Sequence, residues 1–156
     1  METIYIETTV VSYLLANPSR DSILAAHQQV TRQWWQDERQ RYQCVTSEEV
    51  WREAALGDAE MSRRRTEALA GMTVLLVDDA ARNLAREILV EMILPPAAAS
   101  DAVHAAVASL NQVNILLTWN CRHLANPHLL RRLREFMARR ALTLPEICTP
   151  IELAAQ

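Results

Sequence analysis

Four oxygen-bearing side chains lie where predicted strands end or a predicted helix begins. Glu7 follows the first strand, Glu53 lies in the helix after the second, Asp101 begins a helix, and Asn120 follows the fourth strand. Open parallel sheets bind ligands beyond the carboxyl ends of their strands, so we expect these side chains to converge. Oxygen-only ligand sets suit Mg²⁺ or Mn²⁺. Clustered carboxylates also repel one another unless a cation neutralises them, which makes a divalent metal site the prediction.

A metal-free interpretation of these acids stays open. Acidic residues at strand ends and helix starts often serve as helix caps or as partners of the helix dipole, worth about 1 kcal/mol each. Glu48, Glu49, Asp78 and Asp79 fit that capping role better, and we assign them to it.

The elements that must position these residues alternate between short apolar strands and longer helices. Predicted strands cover residues 4–6, 42–45, 73–77, 115–118 and 146–149, and the longer helices cover residues 21–41, 58–71, 78–93, 100–111 and 127–141. Residues 73–77 form the plainest apolar strand, which predicts that it is buried. The alternation is typical of an α/β fold, with a central, mostly parallel sheet of four to five strands covered by helices on both faces.

Length and composition restrict the function further. The 156 residues suffice for a single domain, 1–156. All 16 Lys+Arg residues are arginine, so no lysine is present for Schiff-base chemistry or for a phosphate-binding P-loop. Gly57 and Gly71 are the only glycines, which excludes a glycine-rich dinucleotide fingerprint. The net charge of −3 gives no overall attraction to nucleic acid, so any RNA binding must be local.

Cysteine usage and the first residues predict a cytoplasmic protein. Cys44, Cys121 and Cys148 are odd in number and widely spaced, as expected of reduced thiols rather than a disulfide framework. The acidic residues near the amino terminus are unlike a signal peptide. No apolar run approaches the roughly 18 residues of a membrane span, which predicts no membrane association.

Five short motifs occur in order along the chain. They are residues 5–9, Ser47 with Glu53, residues 100–108, residues 117–120 and residues 149–153. In this order and at this spacing they resemble the motifs of PIN domains, and the resemblance covers nearly the whole chain. It implies a three-layer α/β/α sandwich.

The resemblance also implies a function, because many single-domain bacterial PIN proteins are VapC-type toxins, metal-dependent ribonucleases that an antitoxin holds inactive. It implies cleavage of RNA with Mg²⁺ or Mn²⁺, a cognate antitoxin and a homodimer. It assigns Glu7, Glu53 and Asp101 as metal ligands and Asn120 as the fourth catalytic position, which is acidic in many members. The chain departs from the usual pattern in two ways, with Glu rather than Asp at the first position and a neutral fourth position. An RNA- or partner-binding PIN fold with little catalysis is therefore the alternative function.

Seven further residues are candidates for supporting the metal ligands or contacting substrate: Thr8, Thr9, Ser47, His104, Thr118, Arg122 and His123. The hydroxyl of Thr8 or Thr9 either bonds a ligand carboxylate or caps the first helix. His104 lies three residues after Asp101 on the same helix face, where it either orients a carboxylate or is satisfied within the core. The arginine and histidine after Asn120 either bind phosphate oxygens or belong to a solvated loop.

Two other features allow RNA contact without requiring it. The arginine-rich stretches at residues 63–65 and 131–140 suit an RNA backbone, but acids lie nearby to pair with them. Trp119, beside Asn120, is the tryptophan best placed to stack on a base. Trp34, Trp35 and Trp51 are expected to pack in the core or in a dimer interface.

Overall fold

Five short strands form one fully parallel sheet in the computed structural model, which describes residues 1–154. They are β1 (Thr3–Ile6), β2 (Gln43–Ser47), β3 (Thr73–Leu75), β4 (Ile115–Leu117) and β5 (Glu146–Cys148). Their order in the sheet is β3-β2-β1-β4-β5. The predicted domain 1–156 includes residues 155 and 156, which lie outside the described residues.

Helices cover both faces of the sheet and complete a three-layer α/β/α sandwich, which confirms the predicted fold class. Within residues 1–154 they are α1 (Thr8–Leu15), α2 (Ser22–Asp37), α3 (Glu48–Ala54), α4 (Ala59–Leu69), α5 (Asp79–Val90), α6 (Ala99–Leu110), α7 (Pro127–Ala138) and α8 (Pro150–Ala154). None of the helices described is long and apolar enough to span a membrane.

The central strand β1 marks the point where the strand order reverses. It pairs with β2 on one side and with β4 on the other, so Tyr5 lies between Val45 and Leu116. The ladder continues past β1, where the amide of Glu7 donates to the carbonyl of Leu117 at 3.2 Å. Connections that leave on opposite sides of neighbouring strands open a crevice at their carboxyl ends. The residues just after β1 and β4 therefore line the place where a ligand is expected.

The prediction that residues 73–77 form a buried strand is wrong. The strand is shorter, Thr73–Leu75, and it lies at one edge of the sheet. Val74 is 39% exposed and Leu76, just beyond the strand, is 66% exposed. An apolar run identifies a strand but carries no information on whether helices cover it, so burial does not follow from composition.

Three predicted helices end earlier than their apolar spacing suggests. The helix predicted over 21–41 ends at Asp37 and is followed by a short 3₁₀ turn. The helices predicted to reach residues 93 and 141 end at Val90 and Ala138. Beyond these two ends Met92 and Ala141 adopt left-handed φ values of 57° and 56°. Glycine usually marks such an ending, and the sequence has none at either position.

Candidate metal centre

Glu7 is held at the end of β1 by an almost complete set of hydrogen bonds. Its side chain caps α1, because Oε2 accepts from the amide of Thr9 at 3.1 Å. Its other oxygen, Oε1, accepts from the hydroxyls of Thr9 and Thr118, each at 2.5 Å. The residue is 2% exposed. The sequence left Thr8 or Thr9 as the possible cap of this helix, and the structure gives that role to Glu7 itself.

The two hydroxyls that hold Glu7 also join α1 to the loop after β4. The Thr9 hydroxyl accepts from the amide of Trp119 at 2.8 Å, and the Thr118 hydroxyl accepts from the amide of Asn120 at 2.9 Å. Each threonine hydroxyl therefore accepts from a backbone amide of the loop and donates its own proton to the Glu7 carboxylate. This arrangement locks the carboxylate and the loop in one geometry.

Glu53 reaches the same place from the last turn of α3. Ser47 begins that helix, since its Oγ accepts from the amide of Val50 at 3.2 Å. Oε1 of Glu53 accepts from the Thr8 hydroxyl at 2.8 Å and lies 2.6 Å from Nε2 of His104. Burial raises the pKa of the Glu53 carboxyl, but the hydrogen bonds from His104 and Thr8 outweigh burial and leave this pKa below its usual value. Glu53 is thus held as an anion.

His104 is fully buried in α6, and both of its ring nitrogens have partners. Nε2 lies 2.6 Å from Glu53 and 4.0 Å from Oε2 of Glu7, while Nδ1 lies 2.6 Å from the hydroxyl of Tyr5. Burial lowers the pKa of the imidazole, yet the carboxylates of Glu53, Glu7 and Asp101 together raise it above its ordinary value. The two alternatives left open by the sequence are therefore compatible, since the ring is satisfied in the core and also contacts the carboxylate of Glu53.

Asp101 lies one turn before His104 on α6, with a side chain that is 14% exposed. Burial raises the pKa of its carboxyl, and the negative charges of Glu7 and Glu53 raise it further. The nearest ion partner is His123, whose Nδ1 lies 3.6 Å from Oδ2 of Asp101. A nearby cation would therefore favour the ionised form of Asp101.

The donor set fits a hard divalent cation. Glu7, Glu53 and His104 each bring one possible ligand atom, and these atoms lie within 4.8 Å of one another. Asp101 lies outside that tight group but raises the pKa of His104 through its charge. Because Nε2 of His104 is engaged with Glu53, the atoms left for a metal are carboxylate oxygens, which suit Mg²⁺ or Mn²⁺.

Asn120 lies beside the cluster with its carboxamide oxygen already occupied. Oδ1 accepts from the amides of Arg122 and His123 at 3.2 and 3.0 Å, which fixes the turn after β4. The Arg122 side chain is exposed, whereas His123 turns towards Asp101. The structure therefore gives the predicted fourth position a loop-building role and brings His123, rather than Arg122, to the acids.

Residues considered for RNA contact have other partners. The Trp119 ring is 7% exposed, stacks with Tyr13 and His27 at centroid distances of 5.4 and 4.3 Å, and donates from Nε1 to the Thr31 hydroxyl at 2.8 Å. Trp119 is thus part of the core rather than a free platform for a base. In the two arginine-rich stretches Arg63 pairs with Glu60 and Glu67, and Arg140 pairs with Glu87 and Glu91. These ion pairs favour the interpretation of both stretches as solvated helix faces.

Two polar residues near the centre were missed by sequence analysis. Glu49, assigned above to capping, accepts from the Ser100 hydroxyl at 2.9 Å and from Nε of Arg52 at 3.0 Å. Burial raises the pKa of the Glu49 carboxyl, but these two partners outweigh it and lower the pKa. Tyr5 joins Ser47 to His104 from inside β1. Glu49 could have been found from its position one turn before Glu53, on the same face of the helix.

No family model matches the sequence, and no curated protein matches it. Solved structures do share its fold, and three of them serve for comparison. VapBC2 from Rickettsia felis bound to a DNA fragment from its promoter is 11% identical, with a TM-score of 0.56 over 94% of this chain and 98% of that one. DNA-bound VapBC from Salmonella typhimurium is 15% identical, with a TM-score of 0.56 over 96% and 99%. VapBC-1 from nontypeable Haemophilus influenzae is 14% identical, with a TM-score of 0.56 over 96% and 98%. The three-layer fold is therefore the fold of these VapBC structures, as the resemblance to PIN domains implies.

Proposed function

We propose that this PIN-fold protein is a Mg²⁺- or Mn²⁺-dependent endoribonuclease and the toxin of a toxin–antitoxin pair. The observation that carries the proposal is the hydrogen bonding of the Glu7 and Glu53 carboxylates. In each, Oε1 accepts from two side-chain donors, at distances between 2.5 and 2.8 Å. Such double support fixes the rotamer of a carboxylate and leaves its second oxygen with capacity for a ligand. The similarity in fold to VapBC toxin–antitoxin structures supports the proposed role as a toxin.

Glu7, Glu53 and Asp101 would hold the cation. A bound Mg²⁺ or Mn²⁺ would supply an acidified water and would offset charge on the phosphodiester. The chain contributes orientation, because Thr9 and Thr118 fix Glu7 while Thr8 and His104 fix Glu53. His123 beside Asp101, and the exposed Arg122 in the same loop, supply donors for phosphate oxygens.

Incubation of the purified protein with single-stranded and structured RNAs tests this proposal. We expect cleavage in Mn²⁺ or Mg²⁺ and none in EDTA. The reaction should yield defined internal products rather than progressive shortening, because the proposal is an endonuclease. Intact RNA in all three conditions, with the protein folded by circular dichroism, would contradict it.

The second candidate function is a PIN-fold module that binds RNA or a partner with little catalysis. The observation that favours it is the engagement of Asn120, whose Oδ1 bonds two loop amides and leaves the site with three carboxylates. Retention of RNA on the protein without cleavage, in the presence of Mn²⁺, distinguishes this function from the first.

Asn120→Asp is expected to raise the affinity of the free protein for Mn²⁺ about tenfold, because it adds one negative charge near the cation. An aspartate keeps an oxygen for the two loop amides and replaces the amide nitrogen with a second oxygen. Calorimetric titration of Mn²⁺ measures the change. The matched control is Asn114→Asp, which adds the same charge before β4, at the opposite end of that strand. Equal affinities for Asn120→Asp and the wild type would remove position 120 from the metal centre.

We also propose a cytoplasmic homodimer that binds a cognate antitoxin. Large apolar side chains remain exposed on the single chain, including Val74, Leu76, Val90 and Met92. Exposed apolar surface of this kind favours association. Light scattering at micromolar concentration should give the mass of two chains, and a mass near one chain would contradict the dimer. A small open reading frame immediately upstream of the gene is the expected source of the antitoxin.

A further inference from the structure

A chain of buried hydroxyl and imidazole groups runs from the start of α3 to the carboxylate of Glu53. The Ser47 hydroxyl lies 2.6 Å from the Tyr5 hydroxyl, which lies 2.6 Å from Nδ1 of His104, and Nε2 of His104 lies 2.6 Å from Oε1 of Glu53. Ser47, Tyr5 and His104 are each 0% exposed. Three side chains from β1, β2 and α6 therefore meet in a buried line that ends on a proposed metal ligand.

The hydrogen bonds of this chain keep a proton on Nε2 of His104 in both charge states of the ring. In an imidazolium both ring nitrogens carry protons, so Nδ1 donates to Tyr5 and Tyr5 donates to Ser47. In a neutral ring the bonds run the other way along the chain. The Val50 amide donates to Ser47, so the Ser47 hydroxyl has its own proton free to donate to Tyr5. Tyr5 then donates to Nδ1 of His104, which places the ring proton on Nε2, facing Glu53. Each hydroxyl and ring N–H proton along the line then has an acceptor. Buried polar chains that are completely satisfied fix a single geometry.

We propose that Tyr5 is a positioning residue, which acts through His104 to aim the proton on Nε2 at Glu53 and so to fix that carboxylate for the metal. This proposal rests on the proposed function. Tyr5 is well placed for the role because its hydroxyl contacts both Ser47 and Nδ1 of His104, so the ring cannot rotate without breaking a buried bond. Its aromatic ring also meets the imidazole edge-on at a centroid distance of 5.7 Å. Among the hydrogen bonds of the described residues, the Tyr5 hydroxyl is joined to Ser47 and His104 and to none of the carboxylates.

Tyr5→Phe removes the hydroxyl and keeps the ring. We expect the dissociation constant for Mn²⁺ to rise about tenfold and kcat to fall, with the KM for RNA unchanged, because outer hydrogen-bond partners of metal ligands typically contribute 10- to 100-fold. Ile147→Val is the control. It removes one methylene from a buried side chain in β5, two strands from β1, and should lower stability without changing Mn²⁺ affinity.

A double-mutant cycle shows whether Tyr5 acts through His104. The double variant Tyr5→Phe, His104→Leu should bind Mn²⁺ no more weakly than His104→Leu alone. Combined with Thr9→Val, which acts on Glu7, the effect of Tyr5→Phe should instead multiply. A multiplied effect in the first pair, or an unchanged Mn²⁺ affinity in Tyr5→Phe, would reduce Tyr5 to a packing residue and overturn the proposal.

The imidazole proton of His104 gives a readout that needs neither metal nor activity. In the wild-type protein with EDTA we expect a downfield, slowly exchanging Nε2 proton resonance, assigned by its loss in His104→Leu. This resonance should broaden or disappear in Tyr5→Phe. If it is absent from the wild type, or is unchanged in Tyr5→Phe, the positioning role is wrong. A wild-type protein that has this resonance but neither binds Mn²⁺ nor cleaves RNA would contradict the proposed function and still support the role of Tyr5 in orienting His104.

Discussion

Asp101→Asn is expected to abolish metal-dependent RNA cleavage and to leave the metal-free protein as stable as the wild type or slightly more stable. Ionised Asp101 is buried near Glu7 and Glu53, and burial together with these two charges raises the pKa of its carboxyl. Its one close ion partner among the described residues is His123, 3.6 Å away. Replacing the carboxylate with a neutral amide therefore removes little ion-pair stabilisation. Loss of outer partners costs metal sites about 10- to 100-fold, so loss of a ligand should cost at least about a hundredfold in rate.

The stability of Asp101→Asn should be measured in EDTA, because a bound cation reverses the electrostatics. Without a cation, removal of one of three neighbouring negative charges should leave the free energy of unfolding unchanged or raise it by up to about 1 kcal/mol. Urea denaturation measures this directly. With saturating Mn²⁺ the order should invert, since the wild type gains more from binding.

Asp79→Asn is the matched control for charge. Asp79 also lies in the first turn of its helix, but its side chain is 91% exposed and pairs with Arg82. The same chemical change there should leave both cleavage and Mn²⁺ affinity at wild-type values. Wild-type cleavage by Asp101→Asn would show that Asp101 is not a ligand, and a large loss of stability in EDTA would show that its contacts were misjudged.

The sequence predicted the parts of the fold that depend on local pattern. Glu7 directly follows a three-residue apolar run and Asn120 follows another, so both had to emerge at the carboxyl edge of a parallel sheet. Ser47 comes just after the predicted strand 42–45 and is a typical residue to cap a helix, which places Glu53 in the helix that follows. These placements depend only on the period of the hydrophobic pattern and on the direction of the strands. The errors in the predicted helix ends therefore do not affect them.

The remainder depended on tertiary contacts that no local pattern encodes. Residues 73–77 are as apolar as a central strand, yet β3 lies at one edge of the sheet, where β2 is its one neighbour among the described strands. Asn120 follows β4 as the sequence predicted, but its Oδ1 accepts from two loop amides, which the sequence did not indicate. Tyr5 lies between two isoleucines, a pattern that indicates a core residue. A buried tyrosine hydroxyl needs a hydrogen-bond partner, and the sequence does not indicate which residue that partner is. The contacts among Tyr5, Ser47 and His104 join residues 42 and 99 positions apart.

Glu7→Gln is expected to abolish cleavage as well, but, unlike Asp101→Asn, it should destabilise the protein. The difference lies in hydrogen bonding, because Glu7 accepts from the Thr9 amide and from the hydroxyls of Thr9 and Thr118. A glutamine can place its oxygen against the two hydroxyls, but its NH₂ group then faces the Thr9 amide, donor against donor. An unsatisfied buried donor costs about 1–3 kcal/mol, and we expect the free energy of unfolding in EDTA to fall by that amount.

Glu152→Gln is the control for changing an acid at a helix start to an amide. Glu152 lies in the first turn of α8, and its Oε1 accepts from the amide and the hydroxyl of Thr149 at 3.0 and 3.1 Å. A glutamine keeps that oxygen, so this control should keep wild-type stability, cleavage and Mn²⁺ affinity, whereas Glu7→Gln should lose all three. Wild-type stability in Glu7→Gln would show that an amide satisfies the Glu7 pocket. Wild-type cleavage in the same variant would show that Glu7 holds the loop after β4 without binding a metal, and the centre would then have to be built from Glu53 and Asp101 alone.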